Sequence, residues 1–328
     1  MNPASLAMPK VPADVARPLL SIMVPTWQPT VEHLDRTIRS VISQRRDAQI
    51  EIVDDCSPDF DAAAFASRFE SGAISVYRQA KRLGLAGNWN ACVARARGRW
   101  VHILHQDDWV LPGFYNALLQ GVEREPTVAA AFCASYYARE QGKRWAPRLV
   151  PMTKPGVLRD WQQHVFVRLS IQCSAIIVRR DIYERLSGFD ASFSYAVDWD
   201  MWKRIAVQEA IWYHPEPLAC YRMHAGSETN RQRQTGQHLN EVFRSIDYSA
   251  RLFAPAVATQ VSRRARAGYV IFAVESGIEL MFSVRGWASA MECFRIARRE
   301  GSVVAVIAAL FRITVRGGLR ALTRFSGN

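Results

Sequence analysis

The strongest constraint on the fold is a regular alternation of short apolar runs and amphipathic segments in the first third of the chain. The apolar runs have the length of buried strands and lie at Leu19–Val24, Ile50–Val53, Ala73–Tyr77 and Val101–Leu104. The segments between them carry apolar residues at helical spacing and lie at Val31–Ile42, Ala62–Phe69 and Leu85–Ala96. Strands and helices that alternate with short loops predict an α/β fold, with a mostly parallel sheet flanked by helices.

The pattern is less regular after residue 110 and only helical near the end. Further strands are predicted at Val128–Cys133, Ser174–Val178 and Leu218–Met223, and helices at Pro112–Glu123, Asp181–Leu186 and Trp199–Val207. Three prolines within residues 141–160 predict a flexible loop. We therefore expect a flexible N-terminal tail over residues 1–18, an α/β domain over residues 19–235 and a basic α-helical C-terminal region over residues 236–328.

Composition excludes several classes of protein. The chain has 328 residues, of which 49% are hydrophobic and 22% charged, so it can bury a large core. Its six cysteines form no C-x-x-C pair, which argues against a structural zinc site or a disulfide framework. No apolar run approaches the length of a membrane span, and the N-terminus has no pattern of a secretory signal. We expect a cytoplasmic protein.

The formal net charge of +12 is concentrated in the last quarter of the chain, where residues 251–328 contain twelve Arg, no Lys and four Glu. Four arginines recur at every fourth position there, namely Arg312, Arg316, Arg320 and Arg324. On a helix they would form one basic stripe, which suits peripheral binding to an anionic membrane surface. The alternative is a helix that packs on the domain and exposes its arginines to solvent.

Polar residues follow three of the predicted strands directly. Pro25-Thr26-Trp27 follows the first strand, Asp54-Asp55 the second and Asp107-Asp108 the fourth. Parallel strands place their carboxyl ends at one edge of the sheet, where ligands of open α/β sheets bind. Carboxylates can hold Mg²⁺ on a diphosphate, a pyrimidine N3–H can bond to Asp55, and Trp27 can stack on the base. The pattern therefore indicates a nucleotide cleft.

Each of these residues also has a simpler interpretation. The two Asp pairs could form solvated or Asx-type turns before nearby prolines, and Trp27 could belong to the core. Asp198 could cap the helix that follows it, and His224 could be an ordinary surface histidine.

Taken in order, five segments resemble the family 2 inverting glycosyltransferases of GT-A fold. They read SIMVPTWQP, EIVDDCSPD, ILHQDDW, LSGFDASFSYAVDWDMWKR and YRMHAGS, and the resemblance covers about Leu19 to Ser227. It implies transfer of a sugar from a nucleoside-diphosphate sugar, with Mg²⁺ or Mn²⁺ and with inversion of the anomeric centre. A UDP-sugar is the expected donor. The implied acceptor is a hydroxyl of a glycan or a lipid-linked molecule in cell-surface polysaccharide synthesis.

The resemblance also assigns roles to individual residues. It implies nucleotide-sugar binding by Pro25, Thr26, Trp27, Asp55 and Asp107, with Asp55 on the base and Asp107 near the ribose. Asp108 matches the metal ligand and Asp198 the general base. His224 matches a histidine that often closes over the diphosphate or the metal.

Two positions depart from the family pattern. His105 stands where the family often has Asp, which puts metal affinity in question. Val197 stands where the family often has Glu, which removes a negative charge that would help to raise the pKa of Asp198.

Two competing functions remain from the sequence. A polyprenyl-phosphate glycosyltransferase would transfer the sugar to a phosphate and would need no base. A basic nucleic-acid-binding protein would use the positive charge, but that charge lies mostly outside the α/β region and no helix-turn-helix or zinc pattern is present. We therefore expect no nucleic acid partner.

Overall fold

The computed structural model of the chain describes residues 18–140, 143–147, 150–158, 161–282, 286–301 and 307. They form two compact units. The first contains the described residues up to Gln162 together with Leu169–Met223, and the second contains Gln163–Arg168 and the described residues from His224 onward. Residues 1–17 of the expected tail and the four arginines of the predicted stripe lie outside the described residues.

The elements up to residue 110 follow the predicted order. They are β1 (Leu20–Thr26), α1 (Val31–Ile42), β2 (Gln49–Asp54), α2 (Ala62–Ala66), β3 (Ser75–Arg78), α3 (Gly84–Arg95), β4 (Trp100–Ile103) and β5 (Trp109–Val110). The four strands of the sequence pattern are β1 to β4. They pair in parallel, β1 with both β2 and β4, and β2 with β3.

The later elements complete the sheet and add a helical region. They are α4 (Phe114–Arg124), β6 (Ala130–Arg139), β7 (Arg144–Trp145), β8 (Gly156–Leu158), α5 (Trp161–Val167), a 3-10 turn (Cys173–Ala175), β9 (Ile176–Arg179), α6 (Arg180–Arg185), α7 (Val197–Gln208), β10 (Ile211–Met223), α8 (Glu228–Arg233), α9 (His238–Ala250), α10 (Pro255–Met281) and α11 (Trp287–Glu300).

Within the described residues, ten strands form one sheet. Eight lie in the order β3-β2-β1-β4-β9-β6-β10-β5, while β7 pairs with β6 and β8 with β10. β6 and β10 are parallel, and β9 runs antiparallel between β4 and β6. The predicted α/β fold with a central sheet, flanking helices and a helical C-terminal region is confirmed, with antiparallel strands added beyond β4.

Burial of β1 explains why the parallel strands hold together. All seven of its residues are buried. Leu34 and Ile38 lie one helical turn apart on α1 and pack with Val24 of β1 and Ile52 of β2. Full burial of one such side chain contributes roughly 1.5–3 kcal/mol. This packing sets the positions of the loops that follow β1 and β2.

Two segments differ from the sequence prediction. The predicted loop over residues 141–160 contains the short strands β7 and β8, because distant strands β6 and β10 supply their pairing. The last strand begins at Ile211 rather than Leu218. Its pairing with β6 shifts register between His214 and Ala219, which accommodates the two prolines Pro215 and Pro217 in that stretch.

The second unit is built mainly from α9, α10 and α11. Leu239, Val242 and Phe243 are buried on α9, and Cys293 and Ile296 on α11. Polar contacts also join the three helices, since the guanidinium of Arg266 on α10 pairs with Asp247 of α9 and Glu300 of α11. In the part of the chain that the structure describes, no helix has the length and apolar character to cross a membrane.

Candidate active site

Hydrogen bonds tie the loops after the parallel strands to one another. The amide of Asp55 donates to Thr26 O at 2.8 Å, so pairing of β1 and β2 extends beyond the strand ends. Gln106, in the loop after β4, makes two hydrogen bonds to the backbone of Trp27. Its Oε1 accepts from Trp27 N at 2.8 Å, and its Nε2 donates to Trp27 O at 3.2 Å. The predicted convergence of these loops at one sheet edge is present in the first unit.

The two residues of the Asp54-Asp55 pair have different surroundings. Asp54 is fully buried, accepts from the amide and hydroxyl of Ser57, and pairs with Arg78 at 2.7 Å. The bond from Ser57 N makes an Asx-type turn, so Asp54 stabilises the loop itself. The carboxylate of Asp55 instead accepts from Leu83 N at 2.7 Å and Gly84 N at 2.9 Å.

Asp55 therefore sits at the start of α3. Burial raises the pKa of its carboxyl, and the two backbone amides oppose that rise. The helix N-terminus favours the ionised form. Each carboxylate oxygen can accept more than one hydrogen bond, so the group keeps acceptor capacity for a ligand N–H.

Beside Asp55, the chain leaves the buried strand β1 and turns. Pro25 and Thr26 are buried as the last residues of β1, and Trp27 is half-buried immediately beyond it. The guanidinium carbon of Arg82 lies 3.7 Å from the centroid of the Trp27 ring. Trp27 is thus held by Gln106 through its backbone and by Arg82 through its ring.

The loop after β4 brings together His105, Asp107 and Asp108. One potential ligand atom from each lies within 4.8 Å of the others. The Nδ1 atom of His105 is 3.7 Å from Oδ2 of Asp108. Among the described residues this is the one group of three His, Cys, Asp or Glu side chains with such spacing.

Asp108 is buried, and its two oxygens differ. Oδ1 accepts from the backbone amide of Arg222 at 2.8 Å, while Oδ2 has no partner within hydrogen-bond distance among the described residues. Burial, followed by the charge of Asp107, raises the pKa of Asp108 well above its usual value. Interaction with the Ser174 hydroxyl acts in the opposite direction and lowers the pKa of this carboxyl. The guanidinium of Arg222 bonds to the carbonyl of Asp107. No arginine side chain in the described structure is bonded to the Asp108 carboxylate.

The sequence left metal affinity in question because His105 stands where the family often has Asp, and the structure places the His105 imidazole beside Asp108. Its ring stacks on Trp89, with centroids 4.9 Å apart. Burial lowers the pKa of His105, which favours the neutral imidazole that ligates metals. The sequence signal for this contact was the position of His105, three residues before Asp108.

These residues fit a divalent cation. Oδ2 of Asp108 is a buried oxygen without a hydrogen-bond partner among the described residues, and such an atom costs free energy unless a ligand satisfies it. Carboxylate oxygens suit Mg²⁺ and Mn²⁺, and imidazole is a ligand for the softer divalent metals.

Asp198 lies in the first turn of α7 and is half-buried. Its Oδ1 accepts from Trp199 N at 2.7 Å. Burial raises the pKa of Asp198 to about 7, with smaller opposing effects from backbone amides and the charge of Lys203. Asp200, two residues later, is buried and paired with Arg204 at 2.8 Å. The ion pair with Arg204 gives Asp200 a structural role in α7.

Aromatic packing connects α7 with the loop after β4. Trp89, which stacks on His105, contacts Phe189 at 5.1 Å between centroids, and Phe189 in turn contacts Trp202 of α7. Burial, followed by the charges of Asp198 and Asp108, raises the pKa of the Cys173 thiol. Asp55, Asp108 and Asp198 all belong to the first unit.

His224 is the first residue of the second unit and is half-buried. Its carbonyl accepts from Ser227 N at 3.2 Å and from Asn230 Nδ2 at 3.3 Å, at the start of α8. The role of its imidazole stays a prediction.

Comparison with known sequences gives a family match over half of the chain. The family model described as glycosyl transferase family 2 matches residues 21–186. The uncharacterized protein MT1568 of Mycobacterium tuberculosis is 29% identical over 242 residues, which are 70% of this chain and 75% of that protein. The O-antigen biosynthesis protein RfbC of Myxococcus xanthus is 23% identical over 276 residues, which are 82% of this chain and 20% of RfbC.

Solved structures share the fold at low sequence identity. S. aureus TarS 1-349 in complex with UDP-GlcNAc has a TM-score of 0.66 and 13% identity, over 91% of this chain and 92% of that one. The mannosyltransferase PcManGT of Pyrobaculum calidifontis, in complex with GDP-Man and Mn²⁺, has a TM-score of 0.58 and 19% identity, over 94% and 84% of the two chains. These structures are GT-A glycosyltransferases, so the GT-A fold is shown.

Proposed function

This chain belongs to glycosyl transferase family 2, and we propose that it moves a sugar from a nucleoside-diphosphate sugar to an acceptor hydroxyl with inversion of the anomeric centre. The observation that carries the proposal is that three loops meet at one edge of the sheet. Hydrogen bonds with backbone amides or with the Gln106 side chain fix Asp55, Asp108 and Trp27 at that edge. This edge is where ligands of open α/β sheets bind.

The donor would lie between the loops after β1, β2 and β4. Asp55 is a fixed acceptor for a base N–H, Trp27 offers an aromatic surface, and Pro25, Thr26 and Asp107 lie beside them. A pyrimidine N3–H suits the carboxylate of Asp55, which favours a UDP-sugar. Support for a nucleotide-sugar comes from the complexes of TarS with UDP-GlcNAc and PcManGT with GDP-Man.

Asp108 and His105 would hold a divalent cation, with Asp107 close by. When bound, the cation would neutralise the negative charge that develops on the departing nucleoside diphosphate. An imidazole beside a carboxylate favours Mn²⁺ over Mg²⁺. The complex of PcManGT with Mn²⁺ supports this assignment.

Asp198 would act as the general base. A direct displacement needs a base that takes the proton of the acceptor hydroxyl as its oxygen attacks the anomeric carbon and the bond to the diphosphate breaks. A carboxyl with a pKa of about 7 suits this task near neutral pH, since a general base is most effective when its pKa is close to the working pH. Burial raises this pKa without the glutamate that the family often places at Val197.

The proposed acceptor is a hydroxyl of a glycan or lipid-linked molecule in cell-surface polysaccharide synthesis. The similarity to RfbC of Myxococcus xanthus, an O-antigen biosynthesis protein, supports this class. We propose that the protein is cytoplasmic and binds peripherally to the inner face of the cell membrane. The C-terminal arginine stripe is the segment expected to contact that surface.

Thermal unfolding with a panel of nucleoside diphosphates and their sugars, with and without Mn²⁺, tests the proposal. We expect a stabilisation that requires both a nucleotide and the cation, and its loss in Asp108→Ala. A metal-dependent shift that survives Asp108→Ala would overturn the metal assignment. Full transfer activity in Asp198→Asn would favour a polyprenyl-phosphate acceptor, which needs no base.

A further inference from the structure

Three arginines surround the aromatic residues next to the candidate active site, and we call them the arginine cluster: Arg36, Arg144 and Arg222. The guanidinium carbon of Arg36 on α1 lies 3.6 Å from the centroid of the Trp109 ring, and that of Arg222 on β10 lies 4.7 Å from it. Arg144 on β7 lies 5.3 Å from the ring of Tyr136. All of these residues belong to the first unit.

Two members of the cluster have no acidic partner. Within the described residues, no carboxylate forms an ion pair with Arg36 or Arg144. Burial and the charges of Arg222 and Arg144 lower the pKa of Arg36. Arg39, one turn further along α1, is different, because Asp35 pairs with it at 2.7 Å and raises its pKa. On α1, Arg39 thus has a partner carboxylate, whereas Arg36 faces the positive charges of Arg222 and Arg144.

The cluster also encloses a buried donor. The indole Nε1 of Trp109 is buried and has no hydrogen-bond acceptor among the described residues. A buried donor without an acceptor is unfavourable and is satisfied when a ligand oxygen accepts from it. The nearby acids Asp107, Asp108 and Glu140 act on Arg222, and the first two belong to the proposed cation site.

We propose that Arg36 and Arg222 over the Trp109 ring, together with Arg144 over the neighbouring Tyr136 ring, form a binding site for a phosphate group that is distinct from the proposed cation ligands His105 and Asp108. Guanidinium groups bind phosphate oxygens through paired N–H donors, and stacking on aromatic rings holds them in position for that contact. The cluster offers N–H donors and positive charge on several sides, and a phosphate supplies the matching acceptors and negative charge.

Two sources of phosphate fit this chemistry, the diphosphate of the donor and a phosphate carried by the acceptor. The acceptor is the expected source, because the proposed cation would already offset the charge of the donor. This identification of the source rests on the proposed function, whereas the site itself does not.

Binding of inorganic pyrophosphate in EDTA, measured by isothermal titration calorimetry on the full chain, tests the site. We expect the wild-type protein to bind, and Arg36→Gln/Arg144→Gln to bind about tenfold more weakly or worse. Arg39→Gln is the matched control on the same helix and should bind as the wild type does. Arg144→Gln alone, an exposed substitution, should give a smaller loss. Equal affinity in all four proteins would overturn the proposal.

Titration of the same proteins with UDP and Mn²⁺ identifies the source. Unchanged UDP affinity in the double variant, together with lost pyrophosphate binding, assigns the site to the acceptor. A parallel loss of UDP affinity assigns it to the donor diphosphate. If pyrophosphate binds through the cluster but no sugar transfer is detected with any donor, the phosphate site stands and the proposed function fails.

Discussion

The Nδ1 atom of His105 lies 3.7 Å from Oδ2 of Asp108, and that oxygen has no hydrogen-bond partner among the described residues. A nitrogen and an oxygen at this separation are too far apart for a strong hydrogen bond but can both approach one cation. The other oxygen of Asp108 is held by the amide of Arg222. The carboxylate is therefore oriented before any ligand binds, which reduces the cost of binding.

Substitution of the two proposed metal ligands, His105 and Asp108, should reduce metal binding selectively. We expect Asp108→Asn to abolish the Mn²⁺-dependent rise in melting temperature, and His105→Gln to reduce it more for Mn²⁺ than for Mg²⁺, because imidazole is the softer ligand. Thermal unfolding with each ion and UDP measures both effects. Asp47→Asn is the control, since its exposed carboxylate pairs with Arg45. Equal responses to both ions in His105→Gln would argue against nitrogen ligation.

Loss of the proposed base should slow the reaction without preventing substrate binding. We expect Asp198→Asn to lower kcat by roughly 10²–10⁴-fold, the usual contribution of general acid–base catalysis, with little change in UDP affinity. In the wild type, kcat/KM should rise with pH through about 7, as the Asp198 carboxyl loses its proton. Initial rates between pH 5.5 and 8.5, with the acceptor varied at saturating donor, give kcat and kcat/KM. A flat profile across this range would contradict the assignment.

The same raised pKa predicts how stability depends on pH. Asp198 has a folded-state pKa of about 7 against a usual value of 3.8, so its protonated form is the one that folding favours. Its contribution is fully present below pH 3.8 and is lost as the pH rises to about 7. Asparagine does not ionise, so Asp198→Asn should gain stability relative to the wild type between pH 4.5 and pH 8.

Urea unfolding of both proteins at these two pH values measures that gain. Asp200→Asn provides the comparison, because it removes the buried partner of Arg204 and should be destabilising at both pH values. A stability difference between Asp198→Asn and wild type that does not change with pH would show that the Asp198 carboxyl titrates normally.

The aromatic surface of Trp27 should contribute to nucleotide affinity. Stacking of a base on an aromatic side chain is worth about 1–3 kcal/mol, so Trp27→Ala should raise the Kd for UDP by about tenfold or more. Trp27→Phe should retain part of the affinity, because it keeps an aromatic face. Calorimetric titration with UDP and Mn²⁺ gives the three Kd values. If the alanine variant binds as tightly as wild type, Trp27 has only a packing role against Arg82.

Much of the first unit could be predicted from local patterns. The apolar runs that became β1 to β4 are short and separated by helical segments, so a parallel arrangement followed from chain connectivity. β7 and β8 could not be found this way, since their residues are extended only through pairing with β6 and β10. The early start of β10 could not be predicted either, because Pro215 and Pro217 interrupt the strand pattern. Register shifts at these prolines keep the strand paired with β6.

The candidate site divides in the same manner. The sequence placed Asp55, Asp108 and Trp27 after strand ends and assigned Asp55 to the base, but it did not show that Asp54 forms a turn with Ser57 while Asp55 faces the start of α3. It treated His105 as a departure from a pattern, and the fold turns that side chain toward Asp108.

By itself, the sequence determined the order of strands and helices and the position of acidic residues at strand ends, because those properties depend on neighbouring residues and on connectivity. The tertiary structure alone decided that burial raises the pKa of Asp198 and that one oxygen of Asp108 is left without a partner among the described residues. It also decided that Arg36 and Arg222 lie over the Trp109 ring and Arg144 over the Tyr136 ring. Burial and electrostatics depend on residues far apart in the chain, and only the packed fold brings those residues within range of one another.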